Sequence, residues 1–210
     1  MSEVDEAIMR LNKGRNYSEC SEAIEFLGQL SDAKAVRQLV AVVEGRAGMG
    51  GFDEDEIESL REEAANALGE LGSIAREAAR PLMEILANKG EDSQLRAQAA
   101  LSLGMIMGDT GDDAVRQALT RALIHDEDSE VRWMAIEALS GLATLASVPA
   151  LIGAMSDSYD MVRAGACVVL GRLGDQGAEK PLRRALKDES DEVRYCAKEA
   201  LADLARRGGR

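Results

Sequence analysis

Aromatic side chains and prolines are scarce in this chain of 210 residues, which contains two Phe, one Trp, three Tyr and three Pro. Hydrophobic residues nevertheless make up 46% of the sequence, so most of the apolar volume comes from aliphatic side chains together with nine Met. Such side chains suit closely packed helices better than the strands of a β-sandwich. With 30% charged residues of both signs, the composition also argues against a disordered tail.

Cysteine pairs and long apolar segments are missing as well. The three cysteines, Cys20, Cys167 and Cys196, lie far apart without a CxxC motif, which argues against a disulfide framework and a four-thiolate zinc site. The first residues are acidic rather than apolar, so we expect no secretory leader. The uncharged run 138–156 is interrupted by polar residues, glycine and proline, so we expect no membrane span and a cytoplasmic location.

Positive charge is in deficit: 25 Lys and Arg stand against 38 Asp and Glu, which gives a formal net charge of −13. Proteins that bind phosphate backbones or anionic lipid need a cationic face. The charge therefore argues against nucleic acid and membranes as partners.

A repeated segment is the strongest signal in the chain. A Val-Arg pair followed by small and aliphatic residues recurs with Arg132, Arg163 and Arg194, which lie 31 residues apart. Arg61 and Arg96 belong to earlier copies that begin with Leu-Arg and are spaced by 35 and 36 residues. A first, degenerate copy has Cys20 in place of the arginine. The self-similarity predicts six copies of one helix.

Between these copies lie shorter apolar stretches and aspartate-rich joints at 126–130, 157–160 and 188–192. Aspartate is a preferred N-cap residue, and a glycine such as Gly174 is typical of the position after a helix. Each period therefore indicates two antiparallel helices. Their apolar stripes are covered only when neighbouring pairs stack.

This pattern resembles the HEAT-like repeats named after phycobilisome lyases. The resemblance implies an all-α fold, a right-handed α-α superhelix of about five to six helix pairs. It implies a single solenoid over residues 1–210, with a capping helix at about 3–13 and repeats over about 17–207. In such a fold the Val-Arg helices would line the concave face.

The repeat arginines form a predicted ladder with one member in each repeat. It could serve as a track for anions, or each arginine could pair with an aspartate of its own or the next joint. We favour the structural interpretation, because the joints already supply the acids. The ladder consists of Arg61, Arg96, Arg132, Arg163 and Arg194.

The variable positions of the Val-Arg helix point away from the core and define a candidate groove. Both ends of this groove are acidic and its middle is apolar, and the only Trp of the chain lies where the template predicts solvent. Exposed apolar residues of this kind are typical of binding sites. The candidate partner-binding residues are Trp133, Met134, Leu101, Met105, Val168, Tyr195, Glu62, Glu137 and Glu199.

Catalytic and metal-binding motifs are not recognisable. His125 is the only histidine, so we predict no catalytic residue, no metal site and no cofactor. Deoxyhypusine hydroxylases, which are built on related repeats, carry repeated His-Glu pairs for iron, and this sequence has none.

The longest joint, 45–58, combines a glycine-rich run with four successive acidic residues. It lacks the Lys-Ser/Thr of a phosphate-binding loop and the central glycine of a calcium loop. We interpret it as a solvated insertion, with a contact to a partner as the alternative.

The sequence therefore favours a non-enzymatic scaffold that binds a protein or peptide in its concave groove, with Trp133 as an anchor outside the stacking core. The alternative is a phycobilin lyase or a related tetrapyrrole-handling subunit, which the name of the repeat suggests. Such a subunit needs cations for the propionates of a bilin, and Arg172 is the only one among the groove positions. A homodimer through the apolar patch is a third alternative.

Overall fold

The computed structural model describes residues 2–47, 51–108 and 111–208, and every regular element among them is helical. The prediction of an all-α fold is therefore confirmed. Short 3₁₀ turns precede three of the helices. The helices are α1 (Glu3–Lys13), α2 (Tyr17–Gly28), α3 (Ala33–Val43), α4 (Glu54–Glu70), α5 (Ala79–Ala87), α6 (Ser93–Met107), α7 (Asp113–His125), α8 (Ser129–Leu142), α9 (Val148–Ala154), α10 (Asp160–Leu173), α11 (Glu179–Ala185) and α12 (Asp191–Gly208).

Many of the helices begin at a polar residue whose side chain accepts a hydrogen bond from a backbone N–H of the first turn. These N–H groups have no partner within the helix, so a side-chain oxygen that accepts from them stabilises the helix start. The N-caps of this kind are Ser2, Asn16, Asp32, Asp53, Asp92 and Asp128.

The chain divides into two compact units, an N-terminal unit of Met1–Val115 and a C-terminal unit of Arg116–Arg210. In the N-terminal unit α2, α4 and α6 pack side by side, with α3 against α4, α5 against α6 and α1 against α2. In the C-terminal unit α8, α10 and α12 pack side by side, with α9 against α10 and α11 against α12. That the two units form one continuous solenoid stays a prediction.

Small side chains allow the repeat helices to approach each other closely. A Cβ atom added at Gly28 would lie 2.8 Å from the Cβ of Ala67, and one added at Gly171 would lie 2.7 Å from the Cα of Ala200. The interior between them is filled by fully buried Leu and Ile together with many Ala. This packing explains how the chain builds its core with so few aromatic residues.

Of two further predicted segments, one has the predicted range in the structure and the other differs in detail. A helix covers Glu3–Lys13, the range expected for the capping helix. The joint predicted over 45–58 is shorter, because Asp53 caps α4 and the acidic residues that follow form its first turn. Acidic side chains are favourable at that end of a helix. Residues 48–50 of this joint lie outside the described residues.

Candidate functional site

The buried arginines of the C-terminal unit tie each joint to the next. The Nε and Nη2 of Arg163 donate hydrogen bonds to the two carboxylate oxygens of Asp188, at 2.9 and 2.8 Å. Its Nη1 donates to the backbone carbonyls of Asp157 and Ser158, at 2.9 and 3.3 Å. One guanidinium thus connects the joint before its own helix with the joint of the following repeat.

Arg132 makes the same set of contacts one repeat earlier. Its Nε and Nη2 donate to Asp157, both at 2.8 Å, and its Nη1 donates to the carbonyls of Asp126 and Glu127, both at 3.0 Å. Asp157 in turn accepts a hydrogen bond from the backbone N–H of Tyr159 at 2.8 Å. Asp157 therefore stabilises the turn of its own joint and also binds the arginine of the preceding repeat.

The charges of these pairs stabilise one another. The hydrogen bond from the guanidinium of Arg163 holds the pKa of the Asp188 carboxyl below its usual value, and the same bond raises the pKa of Arg163. Both side chains of the pair are largely buried. These contacts support the structural interpretation of the ladder over the anion track, because the guanidinium groups are already occupied.

The two ladder arginines of the N-terminal unit make different contacts. Arg61 donates from Nε to the carbonyl of Val43 at 2.8 Å and from Nη1 pairs with Glu91 at 2.7 Å. Arg96 donates from Nη1 to the backbone carbonyl of Glu91 at 2.6 Å. For Arg61 the side chain of a glutamate thus stands where Arg132 and Arg163 have an aspartate.

Arg194 belongs to the last repeat. Its Nη1 donates to the carbonyls of Asp188 and Glu189, at 2.7 and 2.9 Å, and its Nη2 pairs with the exposed side chain of Asp191. Arg194 thus contacts its own joint as Arg132 and Arg163 do. Its acidic partner is Asp191 of the same helix and not an aspartate of a following joint.

An acidic groove of about 480 Å³ lies on the α2–α4–α6 face of the N-terminal unit. Successive helices each contribute side chains to it, because the variable positions of the repeat recur on one face. Four glutamates and several amides line it, and no cation does so among the described residues. The lining residues are Ser21, Ile24, Glu25, Gln29, Glu62, Glu63, Asn66, Ala67, Glu70 and Gln98.

Glu62 occupies the least favourable electrostatic position in this groove. Its half-buried side chain makes no hydrogen bond or ion pair with any described residue, and burial together with repulsion by Asp92, Glu58 and Glu63 raises its pKa. Glu58 stands one helical turn before it, where a like charge is destabilising. A carboxylate with a raised pKa that lies in a groove marks a candidate functional site.

The neighbours of Glu62 are held in place by hydrogen bonds between the helices. The hydroxyl of Tyr17 donates to Glu63, which raises the pKa of Tyr17 to about 12. The Gln98 amide donates to Asn66 at 3.3 Å and to Ser102 at 3.1 Å. Tyr17 is the first residue of α2 and does not occupy a variable groove position of the repeat, so no pattern in the sequence pointed to it.

The amide of Asn66 also reaches along its own helix, where it donates to Glu70 at 3.1 Å. Below it, the buried hydroxyl of Ser102 donates to the backbone carbonyl of Ala65 at 2.8 Å. These bonds join α4 and α6 through side chains. The polar lining of the groove is therefore largely fixed before any ligand arrives.

Trp133 is more enclosed than the repeat template predicts. Its side chain is half-buried, and its ring meets that of Tyr159 edge-on, with centroids 6.3 Å apart and an angle of 86° between the planes. The indole Nε1 is buried and has no hydrogen-bond partner among the described residues. The template missed this contact because Tyr159 lies in a joint, outside the repeated helix.

The other predicted groove residues divide between the two units. Leu101 is half-buried and Met105 is 44% exposed in the N-terminal unit. In the C-terminal unit Met134 and Val168 are half-buried, and Tyr195 is 61% exposed.

The two remaining predicted acids of the groove, Glu137 and Glu199, are exposed in the C-terminal unit. Val168 lines a cavity of about 150 Å³ together with Glu137 and Arg172. Of the predicted partner-binding residues, Glu62 lines the acidic groove and none of the apolar residues does.

Neither a metal centre nor a membrane-spanning helix is present in the described part of the chain. It holds no group of three or more His, Cys, Asp or Glu side chains placed to bind a metal ion. None of its helices combines the length and the hydrophobicity needed to cross a bilayer. His125, the only histidine, is exposed at the end of α7.

Repeated helix pairs tied by arginines define the class as an α-helical repeat protein, and family models agree with this assignment. The model of HEAT repeats matches residues 87–167 and 148–208, and the model of the PBS lyase HEAT-like repeat matches residues 60–88. The chain belongs to the HEAT-repeat family.

Two curated proteins are similar in sequence over part of their length. The bilin biosynthesis protein PecE of Mastigocladus laminosus is 34% identical over 127 residues, which cover 59% of this chain and 47% of that protein. Deoxyhypusine hydroxylase-B of Oryza sativa subsp. japonica is 29% identical over 206 residues, which cover 88% of this chain and 66% of the hydroxylase. The chain thus spans about half to two thirds of the length of these relatives.

Solved structures share the fold at low sequence identity. The complex of CpcE and CpcF of phycocyanin lyase from Nostoc sp. PCC7120 matches with a TM-score of 0.57 and 21% identity over 80% of this chain and 99% of that one. A designed armadillo repeat protein in complex with the peptide (KR)4 matches with a TM-score of 0.67 and 15% identity over 97% and 100%. The predicted solenoid class is therefore confirmed.

Proposed function

We propose that this chain is a HEAT-repeat binding module that holds a cationic segment of a partner protein in the acidic groove of its N-terminal unit. The observation that carries the proposal is the environment of Glu62. This half-buried carboxylate is repelled by Asp92, Glu58 and Glu63 and has no cationic partner among the described residues. Proteins rarely keep such a group without a use for it.

A bound cation would remove this disadvantage. Lys or Arg placed beside Glu62 replaces repulsion by attraction, and a charge-assisted hydrogen bond is about twice as strong as a neutral one. The exposed side chain of Glu25 extends the acidic surface onto α2. Acidic surfaces of this kind accelerate the association of a basic partner, and salt weakens the effect.

The shape and the polar lining suit an extended segment with several basic side chains. The fixed amides of Asn66 and Gln98 can exchange hydrogen bonds with a peptide backbone. The designed armadillo repeat protein in complex with the peptide (KR)4 lends support, since it combines a similar fold with a basic peptide.

Fluorescence anisotropy with a labelled, acetylated and amidated (Lys-Arg)₄ peptide tests the proposal. We expect the double variant Glu25→Gln/Glu62→Gln to weaken binding about thirtyfold, since each of the two lost charge-assisted contacts contributes about 1 kcal/mol. The matched control is Glu6→Gln/Glu77→Gln. It removes two exposed carboxylates of the same unit that do not line the groove.

Two results would count against the groove. Equal losses in the two double variants would mean that the peptide responds only to the overall negative charge. An absence of measurable binding at low salt would remove the proposal altogether, because electrostatic attraction is strongest there.

A phycobilin lyase subunit is the second candidate, and the comparisons support it better than they support peptide binding. PecE is a bilin biosynthesis protein, and CpcE and CpcF form the phycocyanin lyase complex. A bilin carries propionates that need cationic partners. Arg172 is exposed beside Val168 in the C-terminal unit, although the cavity there measures only about 150 Å³.

The second candidate is tested by mixing the purified chain with a bilin, alone and with a lyase-type partner subunit, and recording visible absorbance. A shifted and intensified band that is lost in Arg172→Gln would support it. The matched control is Arg183→Gln, which removes an exposed arginine of the same unit that does not line this cavity. An unchanged bilin spectrum in both mixtures would leave peptide binding as the better proposal.

A further inference from the structure

A second open cleft of about 550 Å³ lies in the N-terminal unit between α1 and α2. Its apolar part includes two large side chains that helices of a monomer usually cover: Met9 is 37% exposed and Phe26 is 41% exposed. Ala7 and Ala23, both buried, complete the apolar lining. The volume is in the range of small-molecule sites, which are mostly apolar with a few polar groups.

Two cations stand at this cleft without partners. Arg10 and Lys13 lie one turn apart on α1, both are exposed, and neither makes a hydrogen bond or ion pair with a described residue. A chain with a net charge of −13 has many acids that could have paired with them.

The acids of the same cleft are already engaged on their own helix. Glu19 accepts hydrogen bonds from the backbone N–H of Arg15 at 3.0 Å and from the amide of Asn16 at 3.2 Å. Glu22 accepts from the hydroxyl of Ser18 at 3.3 Å. The cleft therefore offers an apolar floor, two unpaired cations, and acids whose oxygens are held along α2.

From this arrangement we propose that the cleft between α1 and α2 binds a small, free organic anion with a flat or aromatic apolar body. The body would lie against Phe26 and Met9, and the carboxylate or sulfonate would pair with Arg10 and Lys13. The proposal goes beyond peptide binding in the acidic groove, because it concerns another face, another charge and another class of ligand.

The volume of the cleft, about 550 Å³, favours a small free molecule over a macromolecule. An amphipathic helix of a partner would bring its own long side chains, whereas the volume holds one molecule of moderate size. An anionic bilayer would need a broad cationic face, and the surrounding unit is acidic.

The probe is 8-anilinonaphthalene-1-sulfonate, whose fluorescence rises in an apolar site, and its uncharged counterpart is N-phenyl-1-naphthylamine. With the full chain we expect one probe molecule per protein, and about tenfold weaker binding in Arg10→Gln/Lys13→Gln, because two charge-assisted contacts are lost. The matched control is Lys180→Gln/Lys198→Gln, which removes two exposed lysines of the C-terminal unit. The uncharged probe should bind weakly and equally to all three proteins.

Phe26→Ala tests the apolar half of the site. Its side chain is partly exposed, so we expect the helical circular dichroism to be kept while binding of both probes falls. If this variant fails to fold, the double charge variant with its control still decides the proposal.

Several results would overturn the proposal. These are binding that is equal in the double variant and its control, binding of several probe molecules per chain, and a lowered melting temperature of Arg10→Gln/Lys13→Gln with unchanged probe binding. The last result would assign the two cations to the helix C-terminus alone. Sedimentation with phosphatidylglycerol vesicles that depends on Arg10 and Lys13 would replace the free anion by a membrane.

The experiments distinguish a failure of the proposed anion site from a failure of the proposed peptide site in the acidic groove. Glu25→Gln/Glu62→Gln should leave binding of the naphthalene sulfonate unchanged, and Arg10→Gln/Lys13→Gln should not weaken binding of the basic peptide. Loss of both ligands in either variant would mean that the unit had unfolded.

Discussion

The two units of this protein use the same repeat in different ways. In the C-terminal unit the repeat arginines are 31 residues apart, and Arg132 and Arg163 each bind an aspartate with two hydrogen bonds and their own joint with two more. In the N-terminal unit the spacing is longer, and Arg61 combines a glutamate with one backbone carbonyl.

The open surfaces of the two units differ in the charges that line them rather than in size alone. The N-terminal unit has the acidic groove of about 480 Å³ and the α1–α2 cleft of about 550 Å³, and the C-terminal unit has cavities of about 150 Å³ around Val168 and about 430 Å³ beside Arg163. The guanidinium of Arg163 is already paired with Asp188, whereas the groove and the cleft of the N-terminal unit contain charged side chains without partners among the described residues. Functional sites commonly stand where local structure is least optimal.

The largest expected effect is on the ladder of the C-terminal unit. Arg163→Ala removes four hydrogen bonds and leaves the carboxylate of Asp188 largely buried, so we expect a loss of about 3 kcal/mol in unfolding free energy. Urea unfolding followed by the fluorescence of Trp133, the only Trp, reports on this unit.

Arg183→Ala is the matched control, because Arg183 forms an exposed pair with Glu179 in the same unit. Exposed pairs contribute little, so its unfolding curve should match that of the unchanged protein. Equal losses in both variants would remove the special role of the ladder.

Trp133→Ala should lower the unfolding free energy of the C-terminal unit by about 2 kcal/mol. A fully buried Trp or Phe replaced by Ala costs about 3–5 kcal/mol, and Trp133 is only half-buried, although it also loses its contact with Tyr159. Tyr195→Ala, at a 61% exposed aromatic position, should change almost nothing. Circular dichroism melts of the two variants test this, and equal melts would restore Trp133 as an anchor outside the core.

Gly171→Ala tests the close approach of α10 and α12. The new Cβ would lie 2.7 Å from the Cα of Ala200, so the helices must separate, and we expect a loss of about 1–2 kcal/mol. Gly141→Ala has nothing within 4 Å and should be neutral or stabilising by up to about 1 kcal/mol. If Gly171→Ala proved as harmless as Gly141→Ala, the helices would be further apart than described.

The smallest effect is that of Glu62→Gln on unfolding free energy, and its size depends on pH. A carboxyl whose pKa is raised on folding favours the folded state below its unfolded pKa, and this contribution is lost as the pH rises through the folded value. Glu62→Gln should therefore be neutral at low pH and stabilise the N-terminal unit by roughly 0.5 kcal/mol at pH 7. Urea unfolding followed by circular dichroism at several pH values measures this, with Glu77→Gln as control, and a destabilised variant at pH 7 would contradict the repulsion.

Much of the fold could be predicted from the sequence. The repeat spacing placed α2, α4, α6, α8, α10 and α12, because the positions of Arg and small residues recur with the period of the stacked unit. The joint 126–130 supplies the N-cap of α8, Asp128, as predicted, whereas the N-cap of α10 is Tyr159, whose side chain makes no capping hydrogen bond. Where the period lengthened, at 45–58, the start of α4 was missed, since acidic residues suit both a solvated joint and a first helical turn.

The candidate site was only partly predictable. The sequence predicts Glu62 as a groove position. It does not predict the raised pKa of Glu62, which depends on repulsion by Asp92 in another joint and by Glu63, whose side chain accepts a hydrogen bond from Tyr17. The repeat template predicts an exposed Trp133, because the residue that Trp133 contacts, Tyr159, lies outside the repeated segment. Contacts between a repeat and the irregular segments beside it are determined by tertiary packing, and the period of the sequence carries no information about them.

Proton release on peptide binding tests the central claim most directly. Isothermal titration calorimetry of the (Lys-Arg)₄ peptide at pH 5, in two buffers of different ionisation enthalpy, counts the protons exchanged with the solvent. A cation beside Glu62 lowers its raised pKa, so the unchanged protein should release protons on binding, whereas Glu62→Gln should bind more weakly and release fewer. Equal proton release in both proteins, or equal affinity, would contradict the assignment of Glu62 as the centre of the binding site.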